Sequence, residues 1–273
     1  MTPQLDRASS FAALHIAGDP VILPNVWDAA SARIVAASGA RAIATTSAGV
    51  AWSLGYPDGN QMTRDVAIDA LERIVRSVSL PVTVDIEQGY GQLPSDVGRT
   101  VAACIDAGVV GINIEDSLRP VAEQQERIAS ARAAAERAGV PIFINARIDT
   151  HRLGGIGSGA WLDETIIRAL AYQEAGASGV LALGALRAES IHALVSATTV
   201  PVNVAYGPGT LSIADLAAAG VSRISAGSSI AEAAYSVVEQ WAARMLATTG
   251  ATDTAELAAP ELGWAALNGL VRD

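Results

Sequence analysis

Residues 107–116, Ala-Gly-Val-Val-Gly-Ile-Asn-Ile-Glu-Asp, contain the pattern that decides the fold of this chain. The first glycine suits the left-handed position that ends a helix, the apolar run predicts a strand buried on both faces, and two acidic residues stand at the end of this strand. A helix-ending glycine before an apolar run recurs at 37–40, 138–140, 175–177 and 219–221. Strands that alternate with helices in this way predict repeated βα units around a parallel sheet.

Eight such units favour an α/β fold of the (β/α)8 TIM-barrel type, with an open doubly wound sheet as the alternative. The predicted strands are Val21–Trp27, Ala42–Ser47, Val82–Ile86, Gly111–Glu115, Ile142–Ile148, Gly179–Gly184, Val202–Tyr206 and Arg223–Ala226. No linker rich in Pro, Ser or Gly divides the chain. We therefore expect one domain over residues 1–273, with 250–273 as an extra C-terminal helical tail.

Composition narrows the range of partners. Of the 273 residues 51% are hydrophobic, which is enough for a large core, and 28 acidic against 18 basic residues give a net charge of −10. That charge argues against binding to nucleic acid or to an anionic membrane. The single Cys104 excludes a disulfide framework within the chain and a cysteine-cluster metal site. With neither a signal-like start nor an apolar run of about 18 residues, we expect a soluble cytoplasmic protein.

Acidic residues collect where two neighbouring strands end. Asp85 and Glu87 are two apart and share one face of their strand, and Glu115 ends the next strand. Like charges this close need a proton or a cation between them, and ligands that are all oxygen select a hard ion such as Mg²⁺, or Mn²⁺ as an alternative. The other interpretation, which we keep open for Asp85, Glu87 and Asp116, is that these acids cap the following helices.

Other polar and small residues belong to the same predicted mouth. Arg147 suits bidentate binding of a carboxylate or phosphonate, although an ion pair with Asp149 or Glu115 is the alternative. The small-residue turn Ser47, Ala48 and Gly49 offers backbone amides to a substrate oxygen, but a tight turn explains it equally well. Asn203 lies on the seventh predicted strand.

Three further features receive a structural interpretation. Asp58, in the run Gly-Tyr-Pro-Asp-Gly, is by its chemistry a turn residue. The segment Gly154–Gly159 matches the dinucleotide-binding glycine pattern weakly and is better explained as a mobile loop over the barrel mouth. Cys104 falls in a predicted helix at 96–107, where we expect a buried residue and not a nucleophile.

Four motifs in order along the barrel resemble those of the isocitrate lyase/phosphoenolpyruvate mutase superfamily. They are Ser-Leu-Gly-Tyr-Pro-Asp-Gly at 53–59, Val-Asp-Ile-Glu-Gln-Gly-Tyr-Gly at 84–91, Gly-Ile-Asn-Ile-Glu-Asp-Ser at 111–117 and Asn-Ala-Arg-Ile-Asp-Thr at 145–150. Each motif lies at a strand end or in the loop that follows. The likeness covers nearly the whole barrel, so it identifies the superfamily more securely than any single motif could.

The resemblance implies a Mg²⁺ ion held by Asp85, directly or through waters, with Asp58, Glu87 and Glu115 completing the shell. It implies a 2-oxo or 2-hydroxy carboxylate whose C–C or C–P bond is made or broken beside an enolate. The residues that it places on the substrate, together with those taken from strand ends, are Ser47, Ala48, Gly49, Asp85, Arg147 and Asn203. Those assigned to catalysis are Arg147, Ser47 and Asp58. A homo-oligomer, tetramer or dimer, that exchanges a C-terminal helix is also implied and suits the apolar run Leu262–Val271.

Two departures from the superfamily pattern limit the function. Glu87 stands where many relatives have Asp, and the segment Ser117–Glu123 lacks the Lys-Lys-Cys-Gly-His type of lid whose cysteine acts as acid and base in the lyase branch. We therefore expect carbon–carbon lyase or decarboxylase chemistry through an enolate, but not cleavage of isocitrate or methylisocitrate by that cysteine. Carbon–phosphorus chemistry and a non-catalytic 2-oxo-acid-binding protein are the alternatives. Candidate proton donors are Tyr56, Tyr90 and His151.

Overall fold

The parallel strands of the computed structural model, which describes residues 3–156, 158–184 and 186–246, form a barrel. The described strands are β1 (Val21–Leu23), β2 (Asn25–Val26), β3 (Ile43–Thr45), β4 (Val82–Asp85), β5 (Gly111–Glu115), β6 (Phe143–Ile148), β7 (Gly179–Ala182), β8 (Val202–Ala205) and β9 (Arg223–Ser225). Each strand from β2 to β8 pairs in parallel with the next, and β9 pairs with both β8 and β1. The predicted barrel is confirmed, and the open doubly wound sheet is excluded.

The first strand of the barrel is the one place where the number of described strands differs from the prediction. The predicted strand Val21–Trp27 is split into β1 and β2 at Pro24, and the two pieces pair with opposite neighbours, β9 and β3. Proline has no amide N–H to donate to a neighbouring strand, so it interrupts the hydrogen bonding while the chain continues in the same direction. Apart from this interruption the sheet closes on itself.

Helices follow the strands and cover the outside of the barrel. They are α1 (Pro3–Ala13), α2 (Ala29–Ala37), α3 (Ser47–Ser53), α4 (Arg64–Ser77), α5 (Pro94–Asp106), α6 (Val121–Ala138), α7 (Gly159–Glu174), α8 (Ala188–Ala197), α9 (Ile213–Ala218) and α10 (Ser229–Leu246), with a short 3₁₀ turn at Thr150–Leu153. Gly139 ends α6 at φ +66°, the left-handed conformation expected from the sequence. None of the described helices is long and apolar enough to cross a membrane.

One end of the barrel is closed by packing, which leaves the other end for the site. Helix α1 precedes the barrel and places Phe11, fully buried, edge-on to Phe143 with ring centroids 5.7 Å apart. The guanidinium of Arg223, at the start of β9, lies 5.9 Å from the centre of the Phe11 ring. Every residue of β5 is buried, as the apolar run predicts.

Two predictions about single segments have different outcomes. Cys104 is buried within α5, and burial raises the pKa of its thiol to about 12, so the expectation of a buried residue and not a nucleophile is supported. The tail at 250–273, including Leu262–Val271, lies outside the described residues, as does Gly157 of the predicted loop Gly154–Gly159.

Candidate active site

A cavity of about 260 Å³ opens at the carboxyl ends of the strands. Five residues singled out in the sequence line it together: Ser47, Ala48, Asp58, Asp85 and Arg147. The complete lining is Asn25, Thr46, Ser47, Ala48, Asp58, Asp85, Asn113, Arg147, Leu181, Leu183, Ala205, Ser225, Gly227, Ser228 and Ser229. This is the end of the barrel where such folds hold their active sites.

Asp85, at the end of β4, is half-buried at the wall of the cavity. Its Oδ1 accepts a hydrogen bond from the amide of Glu87 at 2.9 Å, and its Oδ2 accepts one from the hydroxyl of Ser47 at 3.2 Å. Burial raises the pKa of Asp85 to about 6; Arg147 opposes that shift and Glu115 adds to it. The negative charge of Asp85 is therefore poorly compensated by the protein alone.

Glu87 ties the loop after α3 to the end of β4. Its Oε2 accepts hydrogen bonds from the amide of Gly59, at 3.1 Å, and from the amide of Asn60. Its Oε1 is buried and has no partner, and burial raises the pKa of Glu87 to about 7. By fixing Gly59 and Asn60, Glu87 brings the exposed Asp58 to the cavity, which its chemistry as a turn residue did not predict.

Arg147 forms both of the ion pairs that were the alternative to substrate binding, and it also lines the cavity. Its Nη1 lies 2.8 Å from Oε2 of Glu115, and its Nη2 lies 2.9 Å from Oδ1 of Asp149. Burial alone would lower the pKa of Arg147, but Asp149, Glu115 and Asp85 outweigh that effect and raise it. The guanidinium is therefore charged at every working pH. Its partner Glu115 is buried and is not among the residues that line the cavity.

The acids at the strand ends do not cap the helices that follow, so that alternative is wrong for all three. The cap of α5 is at Leu93, well beyond Asp85 and Glu87, and the cap of α6 is at Pro120, beyond Asp116. Asp116 instead accepts hydrogen bonds from the amide of Asp149 and from two side chains of α7.

The donor set fits a hydrated divalent cation better than a cage of carboxylates. Over residues 3–156, 158–184 and 186–246, no group of three or more His, Cys, Asp or Glu side chains is arranged to hold a metal ion. Mg²⁺ usually keeps several waters and takes only one or two carboxylates from a protein. Asp85 at the cavity and the unpartnered Oε1 of Glu87 provide such oxygens.

Two predicted substrate-binding residues lie elsewhere. A Cβ atom at Gly49 would come within 2.8 Å of Thr46 and of Trp27, so this glycine is needed for close packing and does not line the cavity. Asn203 is buried inside the barrel, where it accepts a hydrogen bond from Asn145 at 3.0 Å and donates to the Arg223 carbonyl at 3.0 Å.

The two amide side chains of the lining, those of Asn25 and Asn113, are among the lining residues that were not predicted from the sequence. The side chain of Asn25 in β2 donates to the Thr45 carbonyl at 2.8 Å and accepts from the amides of Ala226 and Gly227. These hydrogen bonds connect β2 with the residues that follow β9 at the mouth of the barrel. Asn113 lies in the middle of β5. The signal available for both was an amide side chain inside a buried strand, which needs polar partners in the interior.

Unfavourable backbone conformations occur in three loops at the same end of the barrel as the cavity. Within the part of the chain that the structure describes, the non-glycine residues with positive φ are Asn60, Glu87, Tyr90, Ser117 and Leu118. All follow α3, β4 or β5. Such conformations cost about 1–3 kcal/mol each and collect at functional sites, where the surrounding contacts hold them.

Comparison with known proteins agrees with this geometry. The family model described as phosphoenolpyruvate phosphomutase matches residues 11–246. The chain belongs to this family. It is therefore an enzyme of the isocitrate lyase/phosphoenolpyruvate mutase superfamily, as the sequence motifs predict.

Individual members of the family are similar over most of the chain. An uncharacterised protein of Mycobacterium tuberculosis (strain ATCC 25618 / H37Rv) is 41% identical over 219 residues, 80% of this chain and 82% of that protein. An oxaloacetate decarboxylase of Bradyrhizobium sp. (strain BTAi1 / ATCC BAA-1182) is 33% identical over 204 residues, 71% of this chain and 69% of that one. The crystal structure of a proposed phosphonomutase of Burkholderia cenocepacia J2315 superposes with a TM-score of 0.84 at 46% identity, covering 87% of this chain and 99% of that one.

The arrangement around Asp85 predicts how Mg²⁺ changes stability. The folded-state pKa of Asp85 lies above its ordinary value, so at pH 7.5 its charge destabilises the metal-free fold. Millimolar Mg²⁺ should raise the melting temperature of the wild type, and Asp85→Asn should remove this effect without lowering the metal-free melting temperature.

Differential scanning fluorimetry measures both quantities. Glu72→Gln is the matched control, because it also removes one carboxylate, from an exposed pair with Arg76 in α4. An equal response to Mg²⁺ in Asp85→Asn and in the wild type would contradict the assignment.

Proposed function

We propose that this protein is a Mg²⁺-dependent carbon–carbon lyase that decarboxylates a small 2-oxo dicarboxylic acid through an enolate. The observation that carries the proposal is the chemistry of the cavity wall. In the described part of the chain, no Cys, His, Lys or Tyr side chain lines the cavity. The candidate proton donors Tyr56, Tyr90 and His151 are not among the lining residues.

The absence of Cys, His, Lys and Tyr from the described lining distinguishes between two kinds of cleavage. Cleaving a 2-hydroxy acid next to its hydroxyl requires a base that takes the hydroxyl proton. Loss of the carboxylate on C3 of a 2-oxo dicarboxylic acid requires none, because the electrons of the C3–CO₂ bond pass into the 2-oxo group and form an enolate as CO₂ leaves. Water can then protonate the enolate carbon. The two carboxylates of the lining, Asp58 and Asp85, are assigned to the cation, so the described lining leaves no further base for a hydroxyl proton and favours the 2-oxo substrate.

The lining residues supply what remains necessary. Arg147 binds the carboxylate next to the 2-oxo group, and Ser47 and Ala48 contact the substrate oxygens at the start of α3. Asp85 would hold Mg²⁺ directly, with Glu87, Glu115 and Asp58 acting through waters. The metal, when bound, stabilises negative charge on the enolate oxygen. Leu181 and Leu183 of the β7 end give the cavity an apolar wall that limits access of water.

Carbon–phosphorus chemistry is the second candidate. The family description and the similar Burkholderia structure both favour it. A phosphonate on a pyruvate unit also leaves an enolate behind, and Arg147 suits it as well as it suits a carboxylate. The two candidates therefore share every residue assigned above and differ only in the bond that breaks.

A substrate panel separates these candidates. With Mg²⁺ present, we expect oxaloacetate to give pyruvate and CO₂ faster than Mg²⁺ alone does, with the enzymatic part lost in Asp85→Asn and reduced at least about 100-fold in Arg147→Ala. Nuclear magnetic resonance follows the products. Turnover of phosphonopyruvate alone would overturn the decarboxylase proposal, and binding of oxaloacetate without turnover of either compound would indicate a 2-oxo-acid-binding protein.

We also propose that the protein is a homo-oligomer, a tetramer or a dimer. Helix α10 exposes large apolar side chains at Val237, Val238, Trp241, Met245 and Leu246. A continuous apolar face of this kind usually marks an interface.

The molar mass in solution tests this proposal. Light scattering should give two or four times 27.9 kDa for the wild type and a smaller assembly for Val238→Asp, whose charge would be buried in the interface. Glu239→Gln, on the same helix, is the control. A wild type that is monomeric at micromolar concentration would contradict the proposal.

A further inference from the structure

The guanidinium of Arg147 is held by an acid that does not touch the cavity. Asp149 lies just beyond the end of β6 and is fully buried. Its Oδ1 accepts a hydrogen bond from Nε of Arg147 at 2.9 Å and forms an ion-pair contact with Nη2, also at 2.9 Å. Nη1 is held separately by Oε2 of Glu115 at 2.8 Å.

A count of N–H groups shows what these contacts leave for a ligand. A guanidinium carries five N–H groups, one on Nε and two on each Nη. The contacts to Asp149 and Glu115 engage at most three of them, which leaves at least one on each Nη atom. Two N–H groups on adjacent nitrogens match the two oxygens of a carboxylate. Since Arg147 lines the cavity, this pair is available to a ligand there.

Asp149 is itself fixed by a buried cluster that reaches α7. Its Oδ2 accepts a hydrogen bond from the amide of Ser117 at 2.9 Å, and its own amide donates to Oδ1 of Asp116 at 3.1 Å. Oδ2 of Asp116 accepts from Arg168 at 3.0 Å and from the hydroxyl of Tyr172 at 2.7 Å. Asp116, Tyr172 and Asp149 are fully buried, and Arg168 is 7% exposed.

We propose that Asp149 is a positioning residue for ligand binding: it turns Arg147 so that two N–H groups face the cavity, and Asp116 with Tyr172 holds Asp149 in place. This inference rests on the proposed role of Arg147 in binding a 2-oxo acid. Burying the carboxylates of Asp116 and Asp149 next to each other destabilises the fold. Their ion pairs with the guanidinium groups of Arg168 and Arg147 offset this cost and fix the orientation of both guanidinium groups. The same cluster anchors Ser117 at the start of the connection between β5 and α6.

Binding of oxalate in the presence of Mg²⁺, measured by calorimetry, tests the positioning role without knowledge of the true substrate. Oxalate carries the carboxylate and the adjacent oxygen of a 2-oxo acid enolate. Asp149→Asn should weaken oxalate binding about 10- to 100-fold, as the loss of an outer orienting partner does elsewhere. Tyr172→Phe, which removes one donor to Asp116 far from the cavity, should weaken it about two- to tenfold. Glu72→Gln should not change it.

A double-mutant cycle separates positioning from general stability. If Asp149 acts through Arg147, then Asp149→Asn should change oxalate affinity less than about twofold in an Arg147→Lys background. Equal effects in both backgrounds would overturn the inference. If Asp149→Asn does not fold, as its melting curve would show, the cycle of Tyr172→Phe with Arg147→Lys decides on the same criterion.

The outcome is distinguishable from failure of the proposed function. If the effects of Asp149→Asn and Arg147→Lys on oxalate binding are coupled but oxaloacetate is not turned over, the positioning role is supported and the decarboxylase is refuted. Turnover of oxaloacetate together with additive effects in the cycle would do the reverse.

Discussion

Negative charge concentrated at the ends of β4 and β5 is the constraint on which this site depends. Asp85, Glu87 and Glu115 come from one strand end and its neighbour, where burial raises the pKa of Asp85 and of Glu87. The negative charge of each carboxylate is compensated in a different way. Glu115 pairs with Arg147, and Glu87 takes the amides of Gly59 and Asn60. Asp85 is left at the cavity with only neutral donors, which is the arrangement that calls for a cation.

The same constraint divides the cavity into two halves. Charged residues come from the loop after α3, from β4 and from β6, whereas β7 and β8 contribute Leu181, Leu183 and Ala205. Under the proposed function, the substrate would have its carboxylate and 2-oxo group on the charged half, with the bond that breaks directed towards the apolar half. The negative charge that develops as CO₂ leaves would then be stabilised by the charged half, and the apolar half would keep water away from it. This division explains how the proposed chemistry can proceed without a protein base.

Regular structure and the position of the mouth could be predicted from the sequence, because apolar runs, helix-ending glycines and acids at strand ends are local signals. The direction in which individual side chains point could not be predicted from the sequence. Glu115 turns to Arg147 because Arg147 is its register partner on β6, and Gly49 is taken up by packing against Trp27. Asp58 reaches the cavity only because Glu87 binds the backbone of the next two residues, a contact between distant segments that no local pattern encodes. Pro24 interrupts the first predicted strand because proline has no amide N–H to donate. The proline is visible in the sequence, but the predicted strand Val21–Trp27 ran through it.

The most direct test of a cation centre at Asp85 is a titration with Mn²⁺ followed by electron paramagnetic resonance, with water proton relaxation measured on the same samples. We expect one bound Mn²⁺ per chain in the wild type, with several retained waters, some of which are displaced when oxalate is added. We expect no such site in Asp85→Asn. A wild type that binds oxalate equally well with and without divalent cation, or an unchanged Mn²⁺ site in Asp85→Asn, would contradict a cation centre at Asp85.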